Sequence, residues 1–131
     1  MKTPFSSGDK KYFSHLVVET DAPHFPEGKV HDVYSTYALA RDAEWATRLF
    51  VLEMKDADEM GIGTFVNIEH HSPALIGEEV KFTGTFQSLI KNEITCKIEA
   101  RVGERLIASG TTGQKILKRE KLQSIFSSLK K

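Results

Sequence analysis

Residues 61–80, GIGTFVNIEHHSPALIGEEV, decide the fold. An alternating apolar and polar run meets a pair of histidines, breaks at Pro73, turns at Gly77 and starts again. Side chains alternate along a strand with a period of two, so Val66, Ile68 and His70 share one face. The imidazole of His70 ends an otherwise apolar row, and His71 points the other way. Adjacent strand histidines diverge and no cysteine or carboxylate pattern completes a site, so no metal is expected. Gly61 and Gly63 precede a strand and not a helix, which sets them apart from a nucleotide-binding loop. Pro73 and Gly77 read as turn residues.

Upstream of this stretch the periodicity is helical. Over residues 37–60, Leu39, Ala43, Ala46, Phe50 and Met54 recur at three- and four-residue spacing, flanked by Ala40, Thr47 and Val51. Ser35 or Thr36 is placed to cap this helix and Gly61 to stop it. Before it, residues 13–20 (FSHLVVET) are rich in β-branched residues and predict a first strand. Asp21, Pro23, Pro26 and Gly28 end that strand and open a loop over residues 21–35, long enough to cover something.

Downstream, strands are expected over residues 64–70, 79–89, 93–102 and 105–117, with two-residue turns at Lys91-Asn92 and Gly103-Glu104. The last three form an antiparallel meander. Within it Ile94, Cys96, Ile98 and Ala100 face one way while Thr95, Lys97, Glu99 and Arg101 face the other, so the sheet is covered on one face. Residues 119–129 predict a short tail helix with Leu122, Ile125, Phe126 and Leu129 inward. The outcome is an α+β architecture: one long central helix, a curved antiparallel sheet of about five strands and a short C-terminal helix. Such a sheet leaves an open edge, which predicts a homodimer or a higher even oligomer.

Composition bounds the function. With 131 residues, 40% hydrophobic and 27% charged, the chain suits a single domain, 1–131, with a substantial core. Eighteen basic residues balance eighteen acidic ones, so no overall field favours nucleic acid or an anionic membrane. The basic run at Lys115, Lys118, Arg119 and Lys121 alternates with apolar residues as a solvated helix face does. The single cysteine excludes an internal disulfide and suits a reducing compartment; Cys96 lies in an alternating strand as a structural thiol. The first residues, MKTPFSSGDKKYF, lack the apolar core of a signal peptide, and no stretch reaches membrane-spanning length. A cytoplasmic location is expected.

Two residues on the helix carry candidate chemistry. Glu44 lies among small residues beside Trp45, where a carboxylate in a partly desolvated cleft can act as a general base. Arg48 four residues on and Arg41 three back offer an alternative, an exposed ion pair on the helix surface. Thr36 is either a cap or a site residue; along continuous helix it stands roughly 12 Å from Glu44, so both reach one substrate only if the chain leaves the helix near Thr36 and curls back.

The run YSTYALARDAEWA (34–46), the stretch 61–80 and the ending GTTGQKIL (110–117) together resemble the fluoroacetyl-coenzyme A thioesterase branch of the hot-dog superfamily. The similarity spans roughly residues 30 to 118. Its most specific elements are the threonine spaced eight residues ahead of Glu44-Trp45-Ala46 and the strand that ends in His70. The resemblance implies a catalytic set of Thr36, Glu44 and His70, with Glu44 either activating water as a base or attacking the carbonyl itself, and with Gly63 lining the substrate thioester. It further implies an acyl-CoA substrate, no bound cofactor and sites near a subunit interface. Residues 24–34, HFPEGKVHDVY, do not match the family's aromatic lid, so fluoroacetyl specificity is not implied. Two other readings stand beside hydrolysis: a non-catalytic hot-dog module binding an acyl or CoA-like ligand, if an arginine ties up Glu44, and hydration or dehydration of an acyl thioester.

Overall fold

A computed structural model describes residues 1–130. Its elements in chain order are β1 (Lys10–Leu16), a 3-10 turn (Glu19–Asp21), β2 (His24–Phe25), β3 (Gly28–Lys29), α1 (Thr36–Met54), β4 (Glu59–His70), β5 (Glu79–Ile90), β6 (Glu93–Val102), β7 (Arg105–Lys118) and α2 (Arg119–Leu129). The five long strands form an antiparallel sheet in the order β1-β5-β6-β7-β4, and β2 and β3 pair in a small separate hairpin. This is the hot-dog fold, with α1 wrapped by the curved sheet.

The helical stripe seen in the sequence packs on the inner face. Ala38, Leu39, Ala43, Ala46, Phe50, Val51 and Met54 are all buried, against Val80, Phe82, Phe86, Ile94, Ile98 and Ile107 from the strands. Full burial of a side chain the size of Leu39, Phe50 or Phe82 contributes about 2–3 kcal/mol, so this stripe dominates the hold of helix on sheet. The other sheet face is solvated, as the alternation in β6 requires. The meander β5-β6-β7 has the expected turns, with Lys91 and Gly103 at positive φ.

Several boundaries differ from the sequence expectation. The first strand covers Lys10–Leu16 and not 13–20, because the Asp21 carboxylate accepts from Val18 N–H and turns the chain early. Loop 21–35 contains the β2-β3 hairpin, and Val33 forms an isolated bridge to Leu75. Helix α1 stops at Met54, the last member of its apolar stripe, and Glu59 already begins β4. Gly61 is therefore a strand residue and not a helix stop. In α2 only Leu122 is buried; Ile125, Phe126 and Leu129 are 41%, 48% and 72% exposed, so the inward face expected for them is not formed. Among the described residues no helix is long and apolar enough to cross a membrane.

Candidate active site

The site is built where α1 crosses β4. Ser35 caps the helix, its Oγ accepting from Ala38 N–H at 3.1 Å. Thr36 is thus the first helical residue, and its hydroxyl is free for another partner. It meets His70 Nδ1 at 3.1 Å, the direction of the bond set by the histidine tautomer. His70 closes β4 as expected, half-buried, while its neighbour His71 faces outward to Ser109 Oγ at 2.7 Å. Burial lowers the His70 pKa below its ordinary value, with the Ser72 main chain offsetting part of this and His71 adding to it. The ring is therefore neutral near pH 7. Its Nε2 is buried with no hydrogen-bond partner among the described residues.

Further along α1, Glu44 lies over the bare backbone of Gly63. A β-carbon on Gly63 would stand 2.2 Å from Glu44 Oε1. Gly61, on the same face, makes room for Val51 in the same way, at 2.5 Å. The two glycines form a strip that lets the helix approach the strand closely. The ion pairs offered by the sequence do not form: Arg48 donates to the Gly61 carbonyl at 3.1 Å, and Arg41 donates to Asp21 and Asp42, each at 2.9 Å. Of the three carboxylates on α1, Asp42 is bound by Arg41 and Glu53 by Lys11. Glu44 alone has no cationic partner among the described residues.

A buried polar cluster supports this part of the helix from below. Thr47 Oγ1 donates to the Glu44 main-chain oxygen at 3.0 Å and accepts from Thr112 Oγ1 at 2.8 Å and Gln114 Nε2 at 3.2 Å. Gln114 also approaches the Glu44 carbonyl at 3.4 Å.

A second buried network, which sequence reasoning missed, ties the long loop to the helix. The Tyr34 hydroxyl donates to Asp42, Arg41 spans Asp42 and Asp21, and His15 Nε2 lies 2.7 Å from Asp21. Burial and the Asp42 carboxylate raise the Tyr34 pKa, so the phenol stays protonated. His15, Asp21 and Asp42 bring possible metal-ligand atoms within 4.8 Å of one another, but Arg41 already bridges both carboxylates. One signal was legible: Asp42 falls in the row of Ala38 and Ala46, on the buried stripe. Together with the bonds from Tyr34 N–H to Ala74 and Ser35 N–H to Asp21, this network fixes the approach to Thr36.

The four residues singled out by the sequence therefore form two pairs, Thr36 with His70 and Glu44 with Gly63. The helix is continuous from Thr36 through Glu44, so the chain does not curl back, and the pairs are separated by roughly 12 Å of helix. A shallow depression of about 560 Å³ lies elsewhere, on the outer sheet face between Lys10, Asn67, Thr83, Lys97 and Thr111, and none of the four lines it.

A family profile described as fluoroacetyl-CoA-specific thioesterase (FlK) matches residues 17–120. A Thermus thermophilus hypothetical protein described as a thioesterase superfamily member has 30% identity and a TM-score of 0.92, over 96% of this chain and 93% of that one. The fluoroacetyl-CoA thioesterase FlK itself has 19% identity and a TM-score of 0.89, over 98% of this chain and all of its own, a likeness of fold. A hot-dog-like protein from Thermanaerovibrio acidaminovorans has 15% identity and a TM-score of 0.86, over 97% and 95% of the two chains. No protein of curated function gives a match.

Proposed function

Because the chain belongs to the fluoroacetyl-CoA-specific thioesterase family, a hot-dog family of thioester hydrolases, we propose that it hydrolyses a small acyl-CoA through Glu44, His70 and Thr36. The observation that carries this reading is the Glu44 carboxylate, free of arginine and seated on Gly63. In the proposed reaction Glu44 takes a proton from water as the water oxygen bonds to the thioester carbonyl carbon, and the carbonyl electron pair moves to oxygen. A main-chain N–H at Gly63 stabilises that oxyanion; the register shift between Gly63 and Phe65 releases the local backbone from regular pairing. Collapse restores the carbonyl, breaks the carbon–sulfur bond and expels the CoA thiolate. The proton passes to the sulfur by way of His70, oriented by Thr36, leaving a carboxylic acid and CoA. Coenzyme A is the leaving half of the substrate, so no bound cofactor is invoked, and a cytoplasmic setting supplies the substrate.

The two pairs work together, in this proposal, across a homodimer. β4 is an edge strand, and an open edge of twelve residues invites pairing with a second copy. Antiparallel pairing of two β4 strands about a centre near Val66 and Asn67 sets Gly63 of one copy beside His70 of the other. Each site would then take Glu44 from one subunit and the Thr36–His70 pair from its partner. The alternative of a non-catalytic acyl-binding module requires Glu44 to be held by Arg48 or Arg41, and both are engaged elsewhere.

The test is thiol release from a panel of acyl-CoA esters by the wild type, by Glu44→Ala, by His70→Ala and by hybrids of the two variants. Each substitution alone is expected to cut turnover about a hundredfold or more. Hybrids, which hold one intact composite site, are expected to recover a large fraction of the activity. Absence of turnover in the wild type would reject hydrolysis, and inactive hybrids would place the site within one subunit.

A further inference from the structure

Gln114 is almost fully buried, 2% exposed, and its side chain is used on one side only. Its Nε2 is spent on Thr47 Oγ1 and the Glu44 carbonyl, while Oε1 has no hydrogen-bond partner among the described residues. A buried acceptor left unpaired is costly, so one kept in place calls for a function. The position supplies one. Gln114 stands directly opposite Gly63 in the β4-β7 ladder, and opposed residues send side chains to the same face. That face is where the Glu44 carboxylate rests on Gly63. The Glu44 carboxylate and the Gln114 side chain thus share one face of the ladder beside Gly63.

We propose that Gln114 is a further catalytic residue, its Oε1 and the Glu44 carboxylate together holding the water that attacks the thioester, an inference that rests on the hydrolase reading above. A water molecule has two protons and two lone pairs. With one proton on each acceptor, its lone pairs point away from the helix, toward a carbonyl carbon bound against Gly63. The proton on Glu44 is the one transferred when the oxygen–carbon bond forms; the proton on Gln114 stays on the oxygen and becomes the hydroxyl of the product acid. The buried cluster serves the same end. Thr47 accepts from Nε2, which forces the orientation of the amide and leaves only Oε1 to face the water. Thr112 in turn donates to Thr47 and fixes the hydroxyl that makes this assignment.

The test is Gln114→Met, which keeps length and volume and removes the acceptor, measured beside the wild type and Glu44→Ala. Hydrolysis by Gln114→Met is expected to fall in kcat by about tenfold to a hundredfold with KM within about threefold. Hydroxylamine, supplied as an alternative nucleophile that brings its own basic nitrogen, is expected to take the acyl group from Gln114→Met at nearly the wild-type rate. If Met at 114 does not fold, Gln114→Asn withdraws the same oxygen while keeping the amide, with the same selective loss expected. Hydrolysis at the wild-type rate in the 114 variant would overturn the proposal. So would equal loss of hydrolysis and hydroxylaminolysis, the signature of a merely structural glutamine. A wild type that releases no thiol, with Glu44→Ala indistinguishable from it, would instead reject the hydrolase reading and this inference with it.

Discussion

The carboxylate of Glu44 occupies the space that a side chain on Gly63 would fill, with Oε1 only 2.2 Å from the position of a β-carbon. Gly63 has no positive φ, so its lack of a side chain serves this approach and not a turn.

Gly63→Ala is therefore expected to separate activity from stability. The displaced group is the far end of a flexible glutamate at a solvent-facing site, so the melting temperature should change by about 2 °C or less. Turnover should drop about a hundredfold, because Glu44 can no longer lie against the backbone. Steady-state kinetics with thermal melts on one preparation checks both, and a fully active Gly63→Ala would remove Glu44 from the reaction.

Gly110→Ala should do the reverse. A β-carbon there would lie 1.9 Å from the Asn67 carbonyl oxygen and 3.1 Å from Ile68 Cα, backbone atoms that move only if β4 and β7 part. A loss of about 2–4 kcal/mol in urea unfolding is expected. An unchanged unfolding midpoint would show that the two strands are held less closely than the register implies.

The acid limb of the pH profile should report His70. Its pKa is lowered by burial from an ordinary 6.5, so the neutral ring persists to somewhat more acid pH than in a free histidine. The depressed value has a matching stability term, fully present above the unfolded pKa near 6.5 and lost as pH falls through the lower folded value. In kcat/KM against pH, the fall is expected below about 6.5 and is expected to vanish in His70→Gln at a much reduced plateau. A limb unchanged by His70→Gln would assign the titration to another group.

The Tyr34–Asp42–Arg41–Asp21 network should behave as one unit. Tyr34→Phe is expected to cost about 1–2 kcal/mol and Asp42→Ala about 2–4, with the double variant costing clearly less than the sum. Burial would raise the Asp21 pKa, but the Val18 N–H, Arg41 and His15 together hold it below its ordinary 3.8. That stability is present above the unfolded value and is lost as pH falls through the folded one. Urea midpoints between pH 2 and 7 for the wild type and Asp21→Asn test it: the variant should lose the steepest part of the acid decline.

Local periodicity alone was enough to specify the regular elements. The stripe from Leu39 to Met54 specified α1, the alternation through Ile94, Cys96, Ile98 and Ala100 specified a sheet covered on one face, and the glycine and asparagine turns specified the meander. A β-branched run did not locate the end of β1, because the Asp21 carboxylate competes for the backbone there. Apolar spacing did not bury Ile125, Phe126 and Leu129, because spacing names a face and cannot supply a surface to cover it.

Partner choice was decided only by the tertiary structure. Thr36 and His70 lie 34 residues apart and meet because the start of α1 crosses the end of β4. Arg48 and Arg41 are both spaced to neutralise Glu44, and they do not, since a strand carbonyl and two buried aspartates bind them instead. Residue types and local spacing belong to the chain, whereas which of several eligible groups a side chain bonds is a long-range competition that only the packed fold resolves.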